Sequence, residues 1–399
     1  MSARIAAGDS LGLSQAQRAL VGWCAARPLL LAHAGERARE ELGWLGLDWQ
    51  DSPPDPARHA QAIAALTAAG RLYPCFESEE ELGWKARQRQ KRGGSPVYDR
   101  AMLRLTPAQR ATAEAGGKRP YWRFLLSDGE RRWRDRVQGA MTVKLSAMSD
   151  PVVVRADGTP AQAFAAVLDD SARGITLLLR GAEESETTAW QMDVWQALGG
   201  LGLAPPLPQT AHLPAAGPPL RRLRQDGVEP AALVALLLGL EAPAAAATAR
   251  IDWARLRTAP DLARLGPLNR AALAALPFAA VQARLPEGAS EAFWLAVRGG
   301  IDFLAEAPLW WQVVAGEILP PVMDPAPLRQ KLQQEGHGLP PEPWDDGTWA
   351  AWAAVLGDTA MLYLALTGEE SGPPAGALLP LIGRARAARR LDVALRGAA

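Results

Sequence analysis

Residues 150–199, DPVVVRADGTPAQAFAAVLDDSARGITLLLRGAEESETTAWQMDVWQALG, constrain the fold more than any other part of the chain. The β-branched run at 151–155 stops at Asp157-Gly158, a turn pair, which predicts a strand entering a tight turn. A second apolar run, 175–179, follows Gly174 and predicts another buried strand. Thr187 and Thr188 are each suited to cap a helix, and Trp190, Val194, Trp195 and Leu198 then recur at a spacing that lines one helical face. Strand, crossover, strand and helix in that order describe half of a nucleotide-binding α/β sheet.

The same stretch resembles the second half of the catalytic domain of bacterial glutamyl-tRNA synthetases, class I aminoacyl-tRNA ligases of the alphaproteobacterial type. The match rests on Asp157-Gly158, Asp169-Asp170, Gly174-Ile175-Thr176, Arg180-Gly181, Thr188, Gln191 and Ala197-Leu198-Gly199. It departs where the family's tyrosine after the turn is Gln162, and where its RGEDH run reads Arg180-Gly181-Ala182-Glu183-Glu184. The resemblance implies a Rossmann-like α/β catalytic domain with a connective insertion, followed by an all-α anticodon-binding-like domain. The expected boundaries are 1–240 for the first, with the insertion at about 73–136, then a linker at 241–250 and the helical domain at 251–399.

The N-terminal part supplies the other half of the sheet. Residues 4–7 and 29–32 read as strands, and between them Ser14 is the expected cap of a helix with Ala16, Ala19, Leu20, Trp23 and Cys24 on one face. In the family this region carries the HIGH histidines that hold ATP, whereas here no histidine precedes His33. The family's LLRIEDTD run is replaced by Leu29-Leu30-Leu31-Ala32-His33-Ala34-Gly35, and Trp44-Leu45-Gly46-Leu47-Asp48-Trp49, which matches WLGLDW, arrives sooner than the family pattern places it. A lone histidine after an apolar strand is more often structural than catalytic.

Within the insertion, Tyr73-Pro74-Cys75-Phe76, Tyr98-Asp99-Arg100 and Trp122-Arg123-Phe124 match family landmarks. Lys85, Arg87, Arg89, Lys91 and Arg92 are the expected phosphate contacts for tRNA, set against the plain reading of a solvated helix face. Some members hold zinc here with CxC and YxC ligands. Cys75 is followed by Phe76 and Glu77 and Tyr98 by Asp99 and Arg100, so no metal is expected.

The lysine loop of the KMSKS type is shortened as well. Ala211-His212-Leu213-Pro214 runs almost directly into Arg221, Arg222 and Arg224, which read as the start of a helix, and no lysine lies between Lys144 and Lys331. The proline- and alanine-rich 241–248 reads as a linker. Beyond it a helical pattern broken at Pro320-Pro321 and Pro340-Pro341 leads to a basic end with Arg384, Arg386, Arg389, Arg390 and Arg396, read as solvated surface.

Composition adds few constraints. The 43 basic and 43 acidic residues cancel, so any RNA affinity must be local. Cys24 and Cys75 stand alone, which fits a reducing cytoplasm better than a disulfide framework. The longest apolar run, 231–240, is too short to span a membrane.

By resemblance Arg4 and Arg180 bind the glutamate substrate, and no residue is carried over as catalytic. No permanently bound cofactor is implied; ATP and magnesium enter as substrates only if the protein is active. Three readings stand: a non-catalytic homologue that binds tRNA or a protein such as an intact synthetase, a divergent active glutamate–tRNA ligase, or a decaying product.

Overall fold

The structure is a computed structural model that describes residues 1–214, 216–318, 324, 326–334, 338–357 and 359–396. The helix break expected at Pro320-Pro321 lies outside these residues, as does Ala215 of the shortened loop. By contact density the chain divides into two units. The first comprises Met1–Leu220, Leu237–Gly239 and Ala246–Pro260, and the second Arg221–Leu236, Leu240–Ala245 and Asp261–Ala399.

The first unit is built on strands β1 (Ala3–Gly8), β2 (Leu29–Ala34), β3 (Gln50–Asp51), β4 (Leu72–Cys75), β5 (Tyr121–Phe124), β6 (Glu130–Asp135), β7 (Gly139–Lys144), β8 (Val152–Val154), β9 (Leu177–Gly181) and β10 (Gln209–Leu213). Helices α1 (Leu13–Ala25), α2 (Glu36–Trp44), α3 (Pro56–Ala68), α4 (Glu79–Lys91), α5 (Pro107–Ala115), α6 (Gln162–Ala172) and α7 (Ser185–Gly200) connect them. The main sheet has the order β3-β2-β1-β9-β10-β6-β7 and is parallel except for the β6–β7 hairpin. Buried parallel strands need near-continuous apolar runs, which Leu29–Leu31 and Leu177–Leu179 supply.

Helix α1 lies against this sheet through Ala16, Ala19, Leu20 and Trp23. Gly22 permits the approach, because a Cβ there would meet Leu179 Cδ1 at 2.8 Å and Leu29 Cδ1 at 3.0 Å. The cap of α1 is Gly12, not Ser14, which falls inside the first turn. Helix α7 likewise starts at Ser185, ahead of the expected threonines, and buries Trp190, Val194, Trp195 and Leu198.

Strand β8 departs from the expected sheet half. It pairs with β5 in a separate antiparallel sheet ordered β4-β5-β8, so α6 leads from this small sheet into β9 of the large one. The small sheet is closed by Asp150, whose buried carboxylate accepts Tyr73 Oη at 2.7 Å, Arg100 Nε and Nη2 at 3.0 Å each, and Leu126 N at 3.0 Å. Phe124, Val153, Phe164 and Trp195 share its core.

From Leu220 onward the chain is helical: α8 (Leu220–Gln225), α9 (Pro230–Leu238), α10 (Leu265–Ala275), α11 (Phe278–Val281), α12 (Glu291–Val297), α13 (Ala307–Ala315), α14 (Ala326–Leu332), α15 (Thr348–Leu356), α16 (Thr359–Thr367), α17 (Ala375–Ile382) and α18 (Arg384–Arg396). Phe293, Trp294, Trp310, Trp352, Leu366 and Leu378 form the second unit's core. The arginines of α18 are not the uniform solvated face expected. Arg386 donates to Val314 O and Ile382 O at 2.7 Å each, Arg384 donates to Pro340 O, and Arg390 is buried. Only Arg389 and Arg396 stay outside, paired with Glu317 and Asp392. Among the described residues no helix is long and apolar enough to cross a membrane.

Candidate functional site

Strand order reverses between β1 and β9, and in open parallel sheets ligands bind beyond the strand C-termini at such a point. Gly8 ends β1 with φ +64°, turning the chain into residues 9–12 and the start of α1. The backbone N–H groups of such a turn and of a helix N-terminus form a natural anion site. Here two of these amides, those of Leu11 and Gly12, are already engaged. Glu41 of α2, fully buried, accepts Leu11 N at 2.6 Å, and its two oxygens accept the Ser10 hydroxyl at 3.2 and 3.3 Å. Gly12 N donates to Gln15 Oε1 at 2.6 Å.

The shortened connection after β10 closes the same corner. Pro219 forms an antiparallel bridge with Gly12, Leu220 N donates to Leu11 O at 3.1 Å, and Gly217 sits so close to Leu13 that a Cβ would lie 2.6 Å from its Cδ2. Arg222 of the following helix pairs with its own Asp226 at 3.1 Å, and Arg224 also has a partner.

Across the crevice the fold brings Arg4 and Arg180 onto one carboxylate. Arg4, buried in β1, donates Nε to Asp170 Oδ1 at 2.6 Å, and its Nη1 lies 3.8 Å from Asp169 Oδ2. Arg180, near the end of β9, places Nη2 3.7 Å from Asp170 Oδ2 and donates to Gln191 Oε1 at 3.2 Å. Asp169 in turn holds His59 Nε2 at 2.9 Å and Arg173 at 3.0 Å. Glu184 pairs with Arg18 at 2.6 Å, accepts Gly181 N at 2.9 Å and lies 4.0 Å from Arg180 Nε. Both arginines named from the sequence are therefore engaged by internal carboxylates.

His33 is exposed with φ +49°, a left-handed conformation that costs a non-glycine residue strain. Together with Gln162, His59 and Arg155 it lines an open cleft of about 620 Å³.

In the insertion, the five basic residues divide. Lys85 is held by Glu77 at 2.5 Å and Arg89 by Asp99 at 2.8 Å, whereas Arg87, Lys91 and Arg92 are exposed and have no ion pair among the described residues. Around Glu77, Tyr98 donates its hydroxyl at 2.7 Å and lies 3.9 Å from Cys75 Sγ; burial pushes the Cys75 thiol up to about 11. Among the described residues no group of three His, Cys, Asp or Glu is placed to hold a metal.

Sequence reasoning missed Glu41. A signal was present: Glu41 shares the buried face of α2 with Ala38 and Leu42, a place where an unpaired carboxylate is not tolerated. It also missed His212, fully buried between Asp135 (2.7 Å) and Thr188 (2.9 Å), which ties β10 to β6 and α7.

Residues 32–209 match the family described as tRNA synthetases class I (E and Q), catalytic domain. Over 396 residues the chain is 47% identical to Glutamate--tRNA ligase 2 of Granulibacter bethesdensis, an alignment covering 90% of this chain and 87% of that protein. It is 46% identical over 390 residues to Glutamate--tRNA ligase 2 of Acidiphilium cryptum, covering 88% and 86%. The fold matches the crystal structure of glutamate-tRNA synthetase from Elizabethkingia anophelis with a TM-score of 0.77 at 16% identity, over 99% of both chains.

Proposed function

Since the chain belongs to the glutamate–tRNA ligase family, with its class I catalytic domain, we propose that it binds tRNA without forming glutamyl-adenylate at a useful rate. The observation that carries this reading is Glu41, whose carboxylate occupies the Leu11 amide and Ser10 hydroxyl at the corner where a nucleotide phosphate would sit. A phosphate entering there meets a buried carboxylate and finds the Leu11 and Gly12 amides already bonded. The HIGH histidines and the lysine loop have no counterpart at the matching positions, and residues 217–220 lie against the mouth of α1. Losing one preorganised donor to a developing oxyanion costs about a hundred- to a thousandfold, so a combined deficit of roughly ten thousandfold follows.

Arg4 and Arg180 are the residues for the carboxylates of glutamate, which must compete with Asp170 for both. Contacts to tRNA run through Arg87, Lys91 and Arg92, with Lys85 and Arg89 released from Glu77 and Asp99 only if RNA outcompetes these pairs. Binding through a few phosphates is weak and falls steeply with salt. The site of action is the cytoplasm, and an intact synthetase is the protein partner of this reading.

The test is glutamate-dependent ATP–pyrophosphate exchange in the presence of cognate tRNA and magnesium. We expect exchange lower than that of an intact synthetase by about ten thousandfold. One observation favours a second reading, a divergent active ligase for which ATP and magnesium are substrates: relatives at 47% and 46% identity bear the name of the ligase. Exchange within tenfold of an intact enzyme, abolished by Arg180→Ala, establishes that reading and removes ours.

A further inference from the structure

The crevice that holds Arg4 and Arg180 opens beyond the C-terminal ends of the strands, and a separate cavity lies at the opposite edge of the same sheet. It takes up about 650 Å³ where the chain enters β9 and β10, between the first two turns of α3, the last turn of α6 and residues 198–205. That volume is within the range of small-molecule sites, which pair an apolar lining with a few polar groups.

The lining is largely apolar. Leu168 and Leu198 are buried there and Leu203 is half-buried. Residues 201–207 read Leu-Gly-Leu-Ala-Pro-Pro-Leu, and Leu201 and Leu207, which flank the lining residues of this loop, are 41% and 42% exposed. Trp195 Nε1 donates to Pro205 O at 2.8 Å and fixes the loop in place.

Charge selects the ligand. Arg58 and Arg173 line the cavity, and no carboxylate is among its described lining residues. Arg58 donates Nη1 to Ala172 O at 3.0 Å and has Nε 3.3 Å from Asp55. Arg173 donates to Pro53 O and pairs Nη1 with Asp169 at 3.0 Å. These bonds leave Arg58 Nη2 and Arg173 Nε without a partner among the described residues. A guanidinium presents its donors in a planar fork that matches a carboxylate.

Arg173 also reaches inward. Its partner Asp169 is 1% exposed and shares the same Oδ1 with His59 at 2.9 Å. The other oxygen, Oδ2, accepts no hydrogen bond and has Arg4 Nη1 3.8 Å away. One carboxylate therefore separates the cavity from an arginine of the crevice.

We propose that this cavity binds an organic acid with an apolar body, its carboxylate on Arg58 and Arg173 and its body against Leu168, Leu198 and Leu203. The bound acid shares Arg173 with Asp169, which turns the charge of Asp169 toward His59 and Arg4, so the cavity is an effector site. Neither tRNA binding nor adenylate formation enters this proposal.

Two measurements on the full chain test it. The first is calorimetric titration with octanoate, with its neutral counterpart octanamide, and with inorganic phosphate. We expect octanoate to bind about tenfold more tightly than octanamide, since hydrogen bonds to a charged group are worth that much. Arg58→Gln should lower octanoate affinity about tenfold and leave octanamide unchanged, while Leu203→Trp, which fills the cavity, should weaken both. Equal binding of octanoate and octanamide, or octanoate binding indifferent to both variants, overturns the site. Phosphate binding as tight as octanoate overturns the apolar body. The second measurement labels the four histidines and follows the ring resonance that disappears in His59→Gln. We expect saturating octanoate to shift it and octanamide to leave it in place. Octanoate bound in the cavity with the His59 resonance unmoved overturns the link through Asp169.

Discussion

Arg4 in the first unit and Arg390 in the second are buried to the same degree, 7% and 5% exposed, and the protein neutralises them in opposite ways. Arg4 meets the carboxylates of Asp170 and Asp169. Among the described residues Arg390 pairs with no carboxylate; its guanidinium donates to Leu366 O and Val313 O at 2.6 Å each and to Gly316 O at 3.1 Å. The first two carbonyls belong to the last turns of α16 and α13 and the third to the residue that caps α13, where aligned peptide dipoles leave roughly half a negative charge at each helix end. Partial charges compensate less well than full ones, and burial pulls the Arg390 pKa down to about 10. The difference teaches what each region has left to offer a ligand. Around Arg4 and Arg180 a carboxylate ligand finds the right cations and a competing set of internal anions. On α18, Arg384, Arg386 and Arg390 direct donors inward to backbone carbonyls.

The largest test of this contrast is Arg4→Met. Removing one partner of a buried pair leaves charge uncompensated, and we expect a loss of about 3–5 kcal/mol in denaturant unfolding. A loss below about 1 kcal/mol would mean that His59 and Arg173 balance the two aspartates without Arg4, and the contrast would collapse. Arg390→Met orphans only carbonyls, so its expected cost is about 1–3 kcal/mol, and a value above that of Arg4→Met reverses the comparison.

Asp135 extends the carboxylate side of the contrast to acid pH. Burial by itself raises its pKa, but hydrogen bonds from His212, Thr210 and the Gln138 and Val137 amides outweigh burial and hold it well below the usual carboxylate range. A carboxylate depressed in the folded state contributes its full stability above its unfolded pKa and loses it as pH falls through the folded one. Asp135→Asn should therefore flatten the acid limb of a stability profile recorded from about pH 5 downward. An unchanged limb would show that other carboxylates set the acid limit. The smallest expected effect is Arg222→Ala, which removes an exposed pair with Asp226 and should change stability by about 0.5 kcal/mol or less.

The sequence made one kind of information legible and hid another. Strands β1, β2 and β9 and the buried face of α7 follow from local apolar runs. The pairing of β8 was not legible, because Val152–Val154 carries no mark of whether its neighbour is β5 or β9. The role of Glu41 depends on a turn 30 residues away, and the cap at Gly12 depends on where that turn places the backbone. Arg390 was hidden for a further reason: its partners are backbone carbonyls, which every residue has and no sequence distinguishes.

The division of the chain into its two units bears on how the protein is made. Helix α9 runs from Pro230 to Leu238, yet Leu237–Gly239 and Ala246–Pro260 belong to the first unit, and Gln17 Nε2 donates to Leu237 O at 2.9 Å in its interior. A ribosome delivering the chain from the N-terminus therefore cannot release a finished first unit when β10 emerges. That unit is complete only after Pro260 has cleared the exit tunnel, when residues 221–236 and 240–245 of the second unit are already outside and waiting for Asp261 onward. A gene fragment ending at residue 240 would encode a body that lacks Ala246–Pro260, and should yield a soluble product less readily than one ending at 260.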